Sequence, residues 1–305
     1  MSDLGIPVPA SAAAPDVIHD IGYRHYEGRR LGRGYAMRSL YVQTLRGSFG
    51  LGRSVKSKIL PMTLLGVMCV PALIAVAVAV YVKLNRLPIE YPHYLVIMEF
   101  VTAVFVASQA PVAVSRDLRF QTMPLYFSRP LTSRDYVRAK FAALASAVFI
   151  LTALPMLVFY LGAVFSKLGF VYNTEHFAYG LFAAVCYSLL YSAIALLIAS
   201  ATPRRGFGVA GIIAVLLISS AISGIVYGVL NFRGGFDPSS TSSAHWAGVI
   251  APAQLVDSLT TWLFHLRVQG MAGVPGAVGG IVFAAELVLI VVACYALLVR
   301  RYRRL

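Results

Sequence analysis

Apolar residues along this chain gather into six long runs separated by polar stretches, at residues 60–82, 95–114, 141–165, 177–200, 207–230 and 279–299. Each is close to the ~20 residues a helix needs to cross a ~30 Å hydrocarbon core. The pattern predicts an all-α integral membrane protein with six transmembrane helices. Just before the first run, Leu40, Leu45 and Phe49 alternate with Arg38, Arg46, Arg53, Lys56 and Lys58. That amphipathic stretch predicts an elbow helix lying flat in the interface, interrupted by Gly47, Gly50 and Gly52. The chain therefore divides into a basic N-terminal tail (1–36), a connecting region (37–59) and a membrane domain (60–305).

The longest connection, residues 231–278, starts polar and becomes periodic at Pro252. Leu255, Val256, Leu259, Trp262, Leu263 and Leu266 form one apolar stripe, opposed by Gln254, Asp257, Ser258, Thr261 and His265. The stripe predicts an outer interfacial or partly re-entrant helix over 252–266, acting either as a packed lid or as an external gate.

Composition fixes the solvent. Apolar residues make up 59% and charged residues 12%, against about 45–50% and about 25% in soluble domains, and mean hydropathy is +0.76. A soluble globule is excluded. The net charge of +14 raises nucleic acid as a partner, but the distribution of the 26 Lys and Arg residues points to a membrane surface. Nine precede the first run, six lie in residues 115–140, Arg204 and Arg205 follow the fourth run, and four follow residue 299. Lys83, Arg86, Lys167, Arg233 and Arg267 fall on the opposite side. Short cytoplasmic loops retain the excess of Lys and Arg, so both termini are predicted inside. Tyr23, Tyr26 and Tyr35 with Arg24, Arg29, Arg30 and Arg33 then face anionic inner-leaflet lipids or a partner surface. Residues 1–16 lack the charged start and apolar core of a signal peptide and read as an uncleaved, disordered tail.

Candidate chemistry is sparse. No phosphate-binding G-x-x-x-x-G-K-[ST], H-E-x-x-H or G-x-S-x-G occurs, and no pair of intramembrane aspartates, so the chain is expected to bind no cofactor and to have no catalytic site of its own. His93, His176, His245 and His265 come from three outer loops without ligand spacing, and Cys69, Cys186 and Cys294 sit in separate runs as packing residues. Two carboxylates fall inside runs. Glu99 lies near an outer end and is expected to snorkel as a structural group. Glu286 lies seven residues into the last run and is either structural or functional. Ser220, Gly224 and Gly228 at every fourth place permit close helix approach, within the chain or as a dimer or pathway wall.

Residues 115–140, SRDLRFQTMPLYFSRPLTSRDYVRAK, carry six cations against Asp117 and Asp135. Pro130 keeps the preceding residue from helix. Thr132 or Ser133 can then cap a helix that starts near Asp135 and runs into the next span. The result is a surface loop rigidly coupled to a membrane helix, suited to docking a cytosolic partner. The run QTMPLYFSRPLTSRDYVRAKF resembles the first cytoplasmic loop of ABC-2 type transporter permeases. Asp117 stands for the family's glutamate, Thr122 for its threonine, Ser128-Arg129-Pro130 for its S-x-P, and Arg134 and Lys140 for its Arg and Lys. Gln121 in place of Gly, and Asp in place of Glu, depart from the pattern.

The resemblance implies a permease subunit of an ATP-driven exporter in the cell membrane, a bacterial cytoplasmic one. It implies a second permease copy, identical or related, and a separate ATP-binding subunit that carries the ATP and Mg. Coupling would run through Asp117, Thr122, Ser128, Arg129, Pro130, Arg134, Asp135 and Lys140. Spans two and five would line the pathway, with Gln109, Ser219, Ser220, Ser223, Gly224 and Gly228 as pathway or dimer contacts. Without the resemblance, the alternative is a non-transporting membrane anchor or sensor with a basic effector region.

Overall fold

The computed structural model describes residues 31–52, 54–84, 86–120, 126, 131–202, 204–233 and 243–304, and the architecture below belongs to the compact unit Gly32–Leu305. Every regular element among the described residues is helical: α1 (Arg33–Ser48), α2 (Val55–Tyr81), α3 (His93–Ile97), α4 (Glu99–Ala113), α5 (Ser115–Arg119), α6 (Ser133–Phe165), α7 (Phe170–Ala201), α8 (Arg205–Arg233), a 3-10 segment (Ser243–Ile250), α9 (Pro252–Leu263) and α10 (Gly276–Tyr302). Five of them, α2, α6, α7, α8 and α10, are long and apolar enough to cross a membrane.

The apolar run at 95–114 is not one helix. It is divided among α3, α4 and α5, with breaks at Met98 and Val114, whose backbones leave helical geometry. The pieces answer to different neighbours. The Tyr94 hydroxyl donates to the Met68 carbonyl on α2, whereas the first residue of α4, Glu99, is held by α7 and α8. Ser115, just past the second break, donates to the Ala199 carbonyl at the end of α7 (2.8 Å).

Helix α7 is the most enclosed of the long helices, packed by α4, α6, α8, α9 and α10. Its small residues Gly180, Ala183, Ala184, Ala195 and Ala199 let neighbouring backbones come close, and Gly180 leaves room for the Tyr91 side chain. Helices α2, α8 and α10 instead turn large apolar side chains outward, among them Leu73, Ile74, Ile222, Ile225, Val288 and Leu289. That is the arrangement a hydrocarbon solvent favours.

The elbow helix α1 packs against α4 and α6. The apolar side of α1 is docked on protein: Leu40 and Phe49 are buried, the Phe49 and Phe105 rings lie 5.9 Å apart, and the Tyr41 hydroxyl donates to Ser146 Oγ (2.9 Å). The glycine interruption is where the sequence placed it. Gly50 and Gly52 take φ of +67° and +83°, open to glycine at little cost, and α2 begins three residues later.

Helices α1, α2, α6 and α9 stop in the same way. The amide of Leu51, Leu84, Leu168 or Leu266 donates back five residues, to the carbonyls of Arg46, Ala79, Ala163 and Thr261. The residue before each leucine, Gly50, Lys83, Lys167 or His265, is left-handed. This is the Schellman closure with its usual apolar residue after the turn.

For α9, burial fits the packed alternative and not an exposed interfacial helix. An interfacial helix would leave one face wet, yet Gln254, Asp257, Ser258, Thr260 and Thr261 are as buried as Leu255 and Val256. The helix ends at Leu263 and is enclosed by α3, α7, α8, α10 and the 3-10 segment. Its polar face is matched only in part, since His93 Nδ1 lies 2.6 Å from Asp257 Oδ2 while Gln254 Oε1, Asp257 Oδ1 and Ser258 Oγ have no hydrogen-bond partner among the described residues. On the opposite side, Gly280 of α10 lies against the Trp262 indole so closely that a Cβ there would collide with it.

Candidate functional site

The loop over residues 115–140 opens with α5 and closes at the first turn of α6. Thr122, Ser128, Arg129 and Pro130 lie outside the described residues. Thr132 is the N-cap of α6. Its hydroxyl accepts from the Asp135 amide (3.4 Å), and Asp135 Oδ2 accepts from the Thr132 amide (3.0 Å). This reciprocal capping box satisfies two donors that a helix start otherwise leaves open. From there α6 runs unbroken for 33 residues, ~50 Å at 1.5 Å per residue, so the loop's exit and the span are one rod.

Arg33, the first residue of α1, straddles this cap. Its Nε and a terminal nitrogen donate to the two Asp135 oxygens at 2.7 and 2.8 Å, and to Thr132 Oγ1 at 3.2 Å. A bidentate guanidinium–carboxylate pair fixes geometry as well as charge. Those hydrogen bonds from Arg33 hold the Asp135 carboxyl well below the usual carboxylate range, against a smaller upward push from burial. Sequence alone assigns Arg33 to anionic lipids or a partner surface. The structure instead uses it to join the elbow to the loop.

One turn deeper, the two ends of the loop meet. Asp117 of α5 and Lys140 of α6 form a 2.9 Å ion pair, both buried. The Tyr136 hydroxyl donates to Asp117 Oδ2 at 2.7 Å, and the Lys140 ammonium sits 5.4 Å from the Tyr136 ring centre. Tyr136 and Lys140 are i and i+4 on α6, so a single helix face delivers both to one carboxylate. The Tyr136 ring also packs on Tyr126 (5.6 Å) and on Tyr302 at the end of α10 (5.2 Å). Burial first, then Tyr302 and the Asp117 charge, push its phenol well up, which keeps it a donor. Beside this cluster lies a small cavity of about 50 Å³ lined by Gln43, Thr44, Ser48, Gln109, Asp117 and Lys140, enough for ordered water.

The other expected residues separate into two groups. Gln109 lines this inner cavity, with its amide donating to Ser108 Oγ (3.0 Å). The α8 serines lie elsewhere. Ser220 donates to Glu99 Oε1 at 2.6 Å, where Tyr191 also donates at 2.9 Å. Ser223 donates to the Ala247 carbonyl (2.7 Å) and Ser219 to the Leu216 carbonyl of its own helix (2.8 Å). Glu99 therefore does not snorkel: it is buried and ties α4 to α7 and α8. Glu286 is half-buried, and its Oε2 has no hydrogen-bond partner among the described residues. Among the described residues, nothing within the chain closes on a Cβ placed at Gly224 or Gly228.

The contacts that join distant segments were beyond sequence reasoning. Arg33 and Asp135 are 102 residues apart, and His93 and Asp257 are 164 apart. Within one helix, the i, i+4 spacing of Tyr136 and Lys140 is a signal that could have placed those two side by side. Comparison with known proteins adds no identity, since no protein-family model and no curated protein matches this chain.

Proposed function

We propose that this chain is the permease subunit of an ATP-driven exporter, forming the substrate pathway with a second copy of itself or a related chain. In this reading the broken helix α3–α4–α5 is span two and completes the set of six, both termini are cytoplasmic, and the protein resides in the cell membrane. ATP and Mg belong to a separate ATP-binding subunit that docks on the loop over residues 115–140.

The observation that carries the reading is the double closure of that loop. Asp117–Lys140 locks its base and Arg33–Asp135–Thr132 locks its exit to the elbow. A push on the loop would therefore move α1, α5 and the full length of α6 together, which is what transmitting an ATP-driven motion to a pathway requires. The resemblance of the loop to ABC-2 permeases names the partner. Gly224 and Gly228, where an added Cβ would meet open space among the described residues, support a face of α8 that meets the second copy.

The test is co-expression with candidate ATP-binding subunits, reconstitution in lipid nanodiscs and measurement of ATP turnover. Wild type should co-purify with one subunit and turn over ATP. Arg129→Glu should uncouple turnover while leaving the chain folded. A well-folded chain that recruits no ATP-binding subunit refutes the proposal.

A further inference from the structure

At the end of the bundle that carries the loop, the first turns of α6 and the last turns of α10 border a groove of about 580 Å³. Arg134 and Arg138 reach it from α6 at i, i+4, and Arg300 and Arg303 from α10 at i, i+3. Val292 and Val299 continue its wall along α10. The floor is Tyr295, whose ring meets Phe141 edge-on at 5.9 Å, so the two helices are held together beneath the opening. All four arginines are exposed, and none forms an ion pair with a carboxylate among the described residues. Asp135, beside Arg134 on α6, already has both oxygens engaged by Arg33.

Four guanidinium groups in one groove repel one another unless an anion joins them. Guanidinium forks match phosphate oxygens in geometry as well as charge. The other half of the groove needs an apolar occupant. It continues into the outward flank of α10, where Val288, Leu289, Val292 and Leu297 are exposed, so a soluble acidic protein would cover the arginines and leave the valines unmatched. The geometry points to a bound anionic phospholipid, with its headgroup phosphates between Arg134, Arg138, Arg300 and Arg303 and an acyl chain along Val292 and Val299. Two pairs of arginines suit a headgroup with two phosphates, such as cardiolipin. This site rests on the long apolar helices lying in a membrane and is independent of whether the chain recruits an ATPase.

Native mass spectrometry of the full chain in neutral detergent tests it, with cardiolipin, phosphatidylglycerol and phosphatidylcholine as probes. Wild type should retain one cardiolipin per chain far better than phosphatidylcholine. Arg134→Gln/Arg138→Gln/Arg300→Gln/Arg303→Gln should weaken retention by roughly a hundredfold or more, given the contribution of each basic residue at an anionic surface. Arg38→Gln/Arg46→Gln, on α1, should leave it unchanged. Should the fourfold variant fail to fold, wild type still decides the matter through competition. Water-soluble glycerol phosphate should not displace cardiolipin, because it lacks the chain that the valines hold. Three results would each overturn the site: equal retention of phosphatidylcholine, displacement by glycerol phosphate, or an equal loss in the α1 variant. A fourfold variant that keeps its lipid but loses an acidic protein partner overturns it as well.

Discussion

Removing one side of the Asp117–Lys140 pair should damage the protein more than removing both. Each residue is less than a tenth exposed and the charged atoms are 2.9 Å apart. Deleting one partner of such a pair costs about 3–5 kcal/mol, because the remaining charge is left in a poor solvent. Replacing both by apolar groups of similar size is often neutral or stabilising. Lys140→Met leaves Asp117 with the Tyr136 hydrogen bond at 2.7 Å, which offsets part of the loss, so the lower end, about 3 kcal/mol, is expected. Asp117→Asn leaves the ammonium over the Tyr136 ring, a contact worth at most about 2 kcal/mol, and should cost a similar amount. The double variant should cost no more than either single one, giving a coupling energy of about 3 kcal/mol. The assay is a double-mutant cycle on detergent-solubilised protein, with unfolding followed by helical circular dichroism across a denaturant series. Single variants costing under about 1 kcal/mol would refute the argument from burial, and so would a double variant equal to the sum of the singles.

Other outcomes follow from the same contacts. Because Asp135 is held below the carboxylate range in the folded state, its contribution is complete above about pH 4 and is lost as pH falls through the folded value. Arg33→Ala should therefore lower stability most near pH 7, with the difference from wild type shrinking as pH falls through the folded value, and should move the acid-unfolding midpoint to higher pH, as read by intrinsic fluorescence. Gly280→Leu should destabilise the chain by about 1–3 kcal/mol or more through overpacking on Trp262; an unchanged denaturation midpoint would contradict that contact. Glu99→Leu should cost about 2–3 kcal/mol by stranding the Tyr191 and Ser220 hydroxyls. Glu99→Gln, which keeps a carbonyl acceptor, should cost less than half of that in the same assay.

Hydropathy located the long helices because length and apolarity are properties of a segment by itself. The same holds for the capping box at Thr132 and the glycine break after Ser48, both written within a few residues. Three of the departures are plainly relational. The run at 95–114 has enough apolar residues for one helix but breaks at Met98, because Tyr94 and Glu99 bind different partners. Helix α9 has the periodicity of an interfacial helix, and only the position of His93 across 164 residues of chain accounts for its buried Asp257. Arg33 has the neighbours of a lipid-binding residue, and nothing local to it names Asp135. Of the loop residues expected to act together, Asp117 and Asp135 stood out as the two acids among six cations, and Lys140 came only with the resemblance. Their division into two clamps, one at the base and one at the exit, required the third dimension.

The repeated leucine-closed stops have a consequence for how the molecule is made. A turn that closes on its own last five residues and one apolar side chain needs no other part of the protein to form. Helices α1, α2, α6 and α9 can thus acquire their final lengths one at a time, as each leaves the insertion machinery. What remains for assembly is rotation and docking of pieces already cut to size. Errors in α9 or in the broken span, which depend on distant partners, would then arise late, after the long helices are in place.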